Sequence, residues 1–111
     1  MRKEFAEFLH GEMSSNEKIV LLTGDLGYGL WDRIKIDYSD RFYNVMSSEQ
    51  LMVGTAVGLA MEGFRPYVNT ISTFLTRRCF EQIAIDLCLH NLPVKLVGNG
   101  GGLVYAPLGP T

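Results

Sequence analysis

Short, uninterrupted apolar runs alternate along this chain with longer segments of helical periodicity. The clearest run, residues 18–23, reads KIVLLT and ends at a glycine and an aspartate. Such a run is typical of a strand buried on both faces of a parallel sheet, because a strand with one wet face would alternate apolar and polar residues. Residues 42–46, 66–71 and 93–97 predict three further strands.

The segments between these runs carry apolar residues at helical spacing. Residues 2–14, 32–38, 48–62 and 73–90 are each expected to form a helix, and Gly63 is expected to end the third. Strands that alternate with helices need crossover connections, which cover both faces of the sheet. The predicted fold is therefore α/β, a three-layer αβα arrangement with a mostly parallel sheet, and we expect residues 1–111 to form a single domain.

Composition excludes several classes of protein. The 111-residue chain has a net charge of -2, which offers no basic surface for nucleic acid. No apolar run approaches the roughly 20 residues that span a bilayer, and the N-terminus has no signal-peptide core, so we expect a cytoplasmic protein that binds no membrane. Cys79 and Cys88 fit neither a zinc-ligand spacing nor a comfortable disulfide, and we expect no metal site in this chain.

Several stretches match, in order, one known domain. They read RFYNVMSSEQ at 41–50, VGTAVGLAMEG followed by STFLTR at 53–63 and 72–77, NLPV at 91–94 and GPT at 109–111. These stretches resemble the pyrimidine-binding domain shared by transketolases and 1-deoxyxylulose-5-phosphate synthases. Before Arg41 the resemblance is looser and rests on Gly24, Asp25 and Leu26.

Glu49 has two interpretations. From the local sequence, Ser47 can cap the helix over 48–62, Gln50 can complete a capping box, and Glu49 is a favourable charge at the positive helix end. The resemblance instead implies that Glu49 hydrogen-bonds the ring nitrogen N1′ of the aminopyrimidine of thiamin diphosphate. From there its carboxyl can promote the proton transfer that activates the cofactor. Glu49 is the catalytic residue that we predict.

The resemblance also implies contacts to the cofactor. Phe74 would pack on the aminopyrimidine ring, Ile71 would line the same pocket where relatives often carry an aromatic residue, and Arg77 would lie near the pyrimidine. Asp25 and Leu26 would touch the far end of the cofactor across an interface. The ordinary alternatives are core positions for Phe74 and Ile71 and a solvated helix position for Arg77.

Glycines raise two further questions. Gly54 and Gly58 form a G-x-x-x-G pattern in an Ala-rich helix, which indicates close approach of another backbone, either inside the domain or from another subunit. The resemblance favours another subunit. The segment 24–29, GDLGYG, invites comparison with phosphate-binding loops, but its glycine spacing fits neither the dinucleotide fingerprint nor a Walker loop.

Two features of the family are absent from this sequence. The Gly-Asp-Gly motif with its later Asn, which holds the metal and diphosphate, is missing, and Leu108 stands where relatives usually carry Asp before Gly-Pro-Thr-His. The resemblance therefore implies that Mg²⁺ or Ca²⁺ and the diphosphate are held by a partner subunit or domain, in a homo- or hetero-oligomer.

The resemblance leaves three functions open. The main expectation is transfer of two-carbon ketol units between sugar-type substrates. The STFL-x-R match, as in the synthase branch, keeps open a decarboxylating condensation of a keto acid with a sugar aldehyde. Leu108, Ile71 and the missing histidine after Gly-Pro-Thr favour a third possibility, a degenerate, non-catalytic domain that only assembles with a partner.

Overall fold

Four parallel strands form one sheet in the order β2-β1-β3-β4. The computed structural model of the chain describes residues 1–109. The strands are β1 (Ile19–Thr23), β2 (Phe42–Asn44), β3 (Arg65–Ile71) and β4 (Lys95–Asn99). In β1, Leu21 lies opposite Phe42 on one side and Tyr67 on the other. The prediction of a mostly parallel sheet is confirmed.

Helices cover both faces of this sheet. The helices α1 (Arg2–Ser15) and α2 (Asp32–Asp37) pack on one face, and α3 (Glu49–Met61) packs on the other. Successive side chains of β1 point to opposite faces, so Leu21 joins the first core and Leu22 joins the second. The three-layer αβα prediction is therefore confirmed.

Several strand ends differ by one or two residues from the predicted ones. Strand β2 ends at Asn44 because Met46, where the run was expected to end, adopts a φ of 56° and the chain leaves the sheet. Strand β4 begins at Lys95, two residues later than predicted, since Pro93 has no N–H to donate to the ladder. Gly63 ends α3 as expected. Its backbone has a φ of +87°, which residues with a side chain rarely adopt.

The long helix predicted over 73–90 is not a continuous α-helix. It consists of two π-helical segments, Phe74–Arg78 and Gln82–Cys88, separated by residues 79–81. The wider turn is seen in the N–H of Leu89, which donates to the carbonyl of Ala84 five residues earlier, at 3.2 Å. A 3.6-residue apolar pattern cannot reveal such a turn, and π turns are frequent at functional sites.

No helix within residues 1–109 is long and apolar enough to cross a bilayer.

The core on the α3 face gives a direct test of this packing. Leu22 is fully buried there, and Leu22→Ala should lower the free energy of unfolding by about 2–5 kcal/mol, because it leaves a cavity between the sheet and α3. Chemical denaturation measures this loss. Leu103 is 85% exposed, so Leu103→Ala is the matched control and should change little. Equal losses for both variants would contradict this packing.

Candidate functional site

The loops that follow the carboxyl ends of the strands gather along one edge of the sheet. The N–H of Gly24 donates to the carbonyl of Asn69 at 3.0 Å, and the N–H of Val45 donates to the carbonyl of Thr23 at 2.9 Å. This edge is where open parallel sheets usually bind ligands. The predicted residues Asp25, Leu26, Glu49, Ile71 and Phe74 all lie on loops or element ends at this edge.

Asn44 joins the loops after β1 and β2. Its side-chain oxygen accepts the N–H groups of Asp25 and Met46, each at 3.0 Å, and its amide nitrogen donates to the Asp25 carboxylate at 3.1 Å. The Thr23 hydroxyl donates to the carbonyl of Leu26 at 3.2 Å. The sequence did not predict that Asn44 connects these two loops. It showed only that an Asn stands at this position of the RFYN match.

Glu49 is a buried carboxylate at the first position of α3. Its side chain is 3% exposed, and its Oε2 accepts a hydrogen bond from Nη1 of Arg78 at 3.0 Å. The Arg78 side chain is 48% exposed and therefore links the buried carboxylate to the surface. An ionised carboxylate buried without a partner would be strongly destabilising, so this pairing stabilises Glu49 in place.

The same guanidinium lies on an aromatic face. The Cζ atom of Arg78 is 3.6 Å from the centroid of the Phe74 ring, which is a cation–π contact. Phe74 and Arg78 are the first and last residues of one π-helical segment. The structure thus brings the predicted residues Glu49 and Phe74 together through a third residue that the sequence reasoning passed over.

The capping box predicted for Ser47 and Gln50 is wrong. The N-cap of α3 is Ser48, and no side chain there makes a capping hydrogen bond. The amide nitrogen of Gln50 instead donates to the backbone carbonyl of Arg78 at 3.0 Å, tying α3 to the π-helical segment. Of the local interpretation, only the favourable charge of Glu49 at the helix end remains.

Arg77 and Ile71 stand apart from this pair. Arg77 is exposed, and within residues 1–109 its side chain makes no hydrogen bond or ion pair. Ile71 is half-buried at the end of β3, opposite Asn99 of β4. Phe74 and Arg78 are four residues apart, a spacing that places side chains on the same helix face, and Arg78 rather than Arg77 lies over the ring. Assignment of Arg77 and Ile71 to a cofactor stays a prediction.

The contacts of Arg78 show what kind of group this site accepts. A guanidinium is flat, carries N–H donors for a carboxylate and stacks on an aromatic ring. An aminopyrimidine is likewise a flat nitrogen-containing group that can hydrogen-bond Glu49 and stack on Phe74. The residues present therefore fit the pyrimidine end of thiamin diphosphate. For a metal, no group of three or more His, Cys, Asp or Glu side chains comes together within residues 1–109.

The best-formed cavity of the described residues lies away from this site. A cavity of about 420 Å³ lies between α1, α2 and the loop after β1, but Glu49, Phe74 and Arg78 do not line it. A cofactor of the size of thiamin diphosphate is normally buried over most of its surface. The carboxylate and the aromatic ring can therefore supply one wall of a binding site.

The outer face of α3 carries an exposed stripe, which we call the α3 stripe. Its members recur at helical spacing: Leu51, Gly54, Gly58 and Met61. Leu51 and Met61 are 63% and 55% exposed, and within residues 1–109 no atom beyond the neighbouring residues and the nearby backbone of α3 itself lies within 4 Å of a Cβ built on either glycine. These glycines therefore do not serve close packing among the described residues. Close approach of another subunit stays a prediction.

Cys79 lies beside the Glu49–Arg78 pair. It is fully buried, and its thiol donates to the carbonyl of Phe74 at 3.7 Å. Burial raises the pKa of the Cys79 thiol, the charge of Glu49 raises it further, and the charge of Arg78 partly offsets them. Cys88 is exposed, so the two thiols have different environments.

Comparisons with known proteins find one matching family model and several curated relatives. A family model described as "Transketolase, pyrimidine binding domain" matches residues 1–111. The chain is 41% identical over 102 residues to a 1-deoxy-D-xylulose-5-phosphate synthase of Dehalococcoides mccartyi, covering 90% of the chain. It is 43% identical over 104 residues to the synthase of an Anaeromyxobacter species, covering 92%. The chain spans 16% of the length of each of these relatives.

A solved structure is similar in fold and sequence. It is described as "Split gene transketolase, inactive beta4 tetramer" and matches with a TM-score of 0.79 and 31% identity. The match covers 87% of this chain and 32% of that one. Pro110 and Thr111, in the GPT stretch of the sequence, lie outside the described residues.

The two cysteines should differ in reactivity. At pH 8 we expect a disulfide reagent such as Ellman's reagent to modify Cys88 in the folded chain, with Cys79 at least about tenfold slower, because the thiolate is the reactive form and Cys79 is buried with a raised pKa. Spectroscopic thiol counting with mass mapping measures this. Cys88→Ser should remove the fast phase, and unfolding should expose Cys79. Equal rates in the folded chain would contradict the described burial.

Proposed function

Because the chain belongs to the transketolase pyrimidine-binding domain family, we propose that it supplies the pyrimidine half of a thiamin-diphosphate site in a transketolase-like transferase. The reaction is transfer of two-carbon ketol units between sugar-type substrates. One observation carries the proposal: the buried Glu49 carboxylate and the Phe74 ring together hold a flat cationic group. A hydrogen-bonded carboxylate beside an aromatic face is what an aminopyrimidine needs.

Glu49 has the catalytic role in this proposal. When bound, thiamin diphosphate supplies the carbon nucleophile of the reaction. The Glu49 carboxyl hydrogen-bonds N1′ of the aminopyrimidine and holds or releases a proton there. Its position in a buried first turn excludes water from that hydrogen bond, which makes it stronger than one in bulk solvent.

The remaining predicted residues bind the cofactor. Phe74 stacks on the pyrimidine ring, Ile71 lines the pocket at the end of β3, and Arg77 lies beside the ring after moving from its exposed position. Asp25 and Leu26 contact the far end of the cofactor. The loop that carries them is braced by Asn44, which supports a defined backbone position.

A partner completes the proposed site. The diphosphate and its Mg²⁺ or Ca²⁺ are held by a diphosphate-binding transketolase-like subunit or domain, which packs against the α3 stripe in a homo- or hetero-oligomer. The glycines of that stripe have open space around them and its apolar side chains are exposed, and both features support this role. The similar solved structure is described as a tetramer, which also supports association. We place the complex in the cytoplasm, with a sugar phosphate or keto acid as substrate.

A second reaction is supported by the names of relatives. The curated relatives at 41% and 43% identity are called 1-deoxy-D-xylulose-5-phosphate synthases, which favours a decarboxylating condensation of a keto acid with a sugar aldehyde. Release of CO₂ from pyruvate by the complex would identify this reaction. Ketol transfer without CO₂ release would identify the first. A degenerate assembly domain, with Leu108 in place of the usual Asp, would do neither.

Glu49→Gln tests the catalytic role. An amide still accepts the hydrogen bond from Arg78, so the melting temperature should change little, but the amide cannot exchange a proton with N1′. General acid–base contributions are on the order of a hundred- to ten-thousand-fold. In the complex with its diphosphate-binding partner, we expect turnover and hydrogen–deuterium exchange at C2 of the cofactor to fall at least about tenfold.

Glu62→Gln is the matched control, because Glu62 is exposed at the opposite end of α3. It should leave turnover and C2 exchange at the wild-type level. If C2 exchange is indifferent to Glu49→Gln, the catalytic assignment is wrong and the carboxylate only stabilises the helix end.

Gly58→Leu tests the α3 stripe as a contact surface. Space is open around Gly58 within the described residues, and Leu is a better helix former than Gly, so the variant should stay folded. We expect sedimentation to show a loss of association with itself or with the partner. Gly11→Leu on α1 is the matched control, since Gly11 is also a helical glycine with open space around it. Association that survives Gly58→Leu would argue against this surface.

A further inference from the structure

Arg78 already makes both contacts that the proposed function assigns to the aminopyrimidine. Its Nη1 is 3.0 Å from Oε2 of Glu49, and its Cζ is 3.6 Å from the centroid of the Phe74 ring. A distance of 3.6 Å is van der Waals contact between stacked planar groups. No second ring fits between this guanidinium and Phe74.

Access to Glu49 depends on the same side chain. The Glu49 side chain is 3% exposed while Arg78 is in place, whereas the Arg78 side chain is 48% exposed. A ligand that hydrogen-bonds Glu49 must therefore displace a group that covers it. The Arg78 side chain can be displaced most easily, because water hydrates its charge once it moves away from Glu49.

The backbone at this position is held independently of the side chain. Gln50 donates to the carbonyl of Arg78 at 3.0 Å, and the hydroxyl of Thr76, in the same segment as Arg78, donates to the carbonyl of Ser72 just before that segment at 2.9 Å. The Arg78 side chain can therefore rotate away while the π-helical segment and Phe74 keep their positions. Displacement requires rotamer changes rather than unfolding.

We propose that Arg78 is an internal competitor for the aminopyrimidine, a guanidinium that occupies the pyrimidine position until the cofactor displaces it. The inference rests on the proposed function of Glu49 and Phe74. Arg78 keeps Glu49 paired in the cofactor-free protein, and breaking that pair opposes cofactor binding. Removing the arginine should therefore tighten binding, which is opposite to the effect of removing a residue that binds the cofactor.

Calorimetric titration of the complex with thiamin diphosphate tests the direction of this effect. Glu49 is buried, but solvent screens the half-exposed Arg78, so Arg78→Ala should lower the Kd by a modest factor of roughly five. Arg78→Gln, which keeps a hydrogen-bonding group without the charge, should fall in between. Arg65→Ala is the matched control, because Arg65 is an exposed arginine at the amino end of β3 and should not change the Kd.

A second measurement does not involve the cofactor. In the cofactor-free chain, Arg78→Ala should lower the melting temperature, and it should lower it less in a Glu49→Ala background, because position 49 then has no acceptor for the guanidinium. Losses that are equal in the two backgrounds would show that the pair is not formed and would overturn the inference.

The outcomes separate this inference from the proposed function. Tighter binding by Arg78→Ala, with coupling between Glu49 and Arg78, supports both. Unchanged or weaker binding by Arg78→Ala, where the wild-type complex binds thiamin diphosphate, overturns the competitor role and leaves the proposed function standing. If neither the wild type nor Arg78→Ala binds thiamin diphosphate in the complex, the proposed function fails and the inference fails with it.

Discussion

The parallel pairing of β1 with a neighbour on each side is the constraint on which the rest of the structure depends. All five residues of β1 are buried, and the strand is hydrogen-bonded to β2 and to β3. Parallel strands cannot be joined by hairpins. The chain therefore returns over one face of the sheet after each strand, and the helices in these crossover connections cover both faces. All four carboxyl ends then lie at one edge, which brings Glu49 and Phe74 into one neighbourhood although they are far apart in sequence.

A buried carboxylate at that edge imposes a second requirement. Glu49 needs a cationic or hydrogen-bonding partner, and within the described chain Arg78 meets this need. The guanidinium lies over the ring of Phe74, four residues earlier on the same helical segment, and Gln50 donates to the backbone carbonyl of Arg78. The same polar requirement that stabilises the folded chain is the one that a bound pyrimidine would satisfy. In the proposed competition, stability without a ligand and affinity for a ligand are therefore opposed at this site.

The exposed α3 stripe beside the site agrees with the proposal of a partner. The carboxylate and the aromatic ring form one wall, and the α3 stripe beside them presents glycines and apolar side chains to the outside. Small residues on a helix allow another backbone to approach closely, and burial of exposed apolar side chains at an interface is favourable. A binding wall and a contact surface on the same helix would let a partner complete the site as it packs against α3.

The sequence by itself determined the order of strands and helices, because each depends on local patterns: the KIVLLT run, the small-residue helix that begins near Glu49, and the turn at Gly63. It also singled out Glu49 and Phe74, through the ordered matches to one family. Only the tertiary structure decided that Arg78 pairs with Glu49, and that Gln50 binds a carbonyl rather than capping its own helix. These contacts join residues 28 and 29 positions apart. Their formation depends on how a π-helical segment packs against α3, and a periodicity of 3.6 residues carries no information about either.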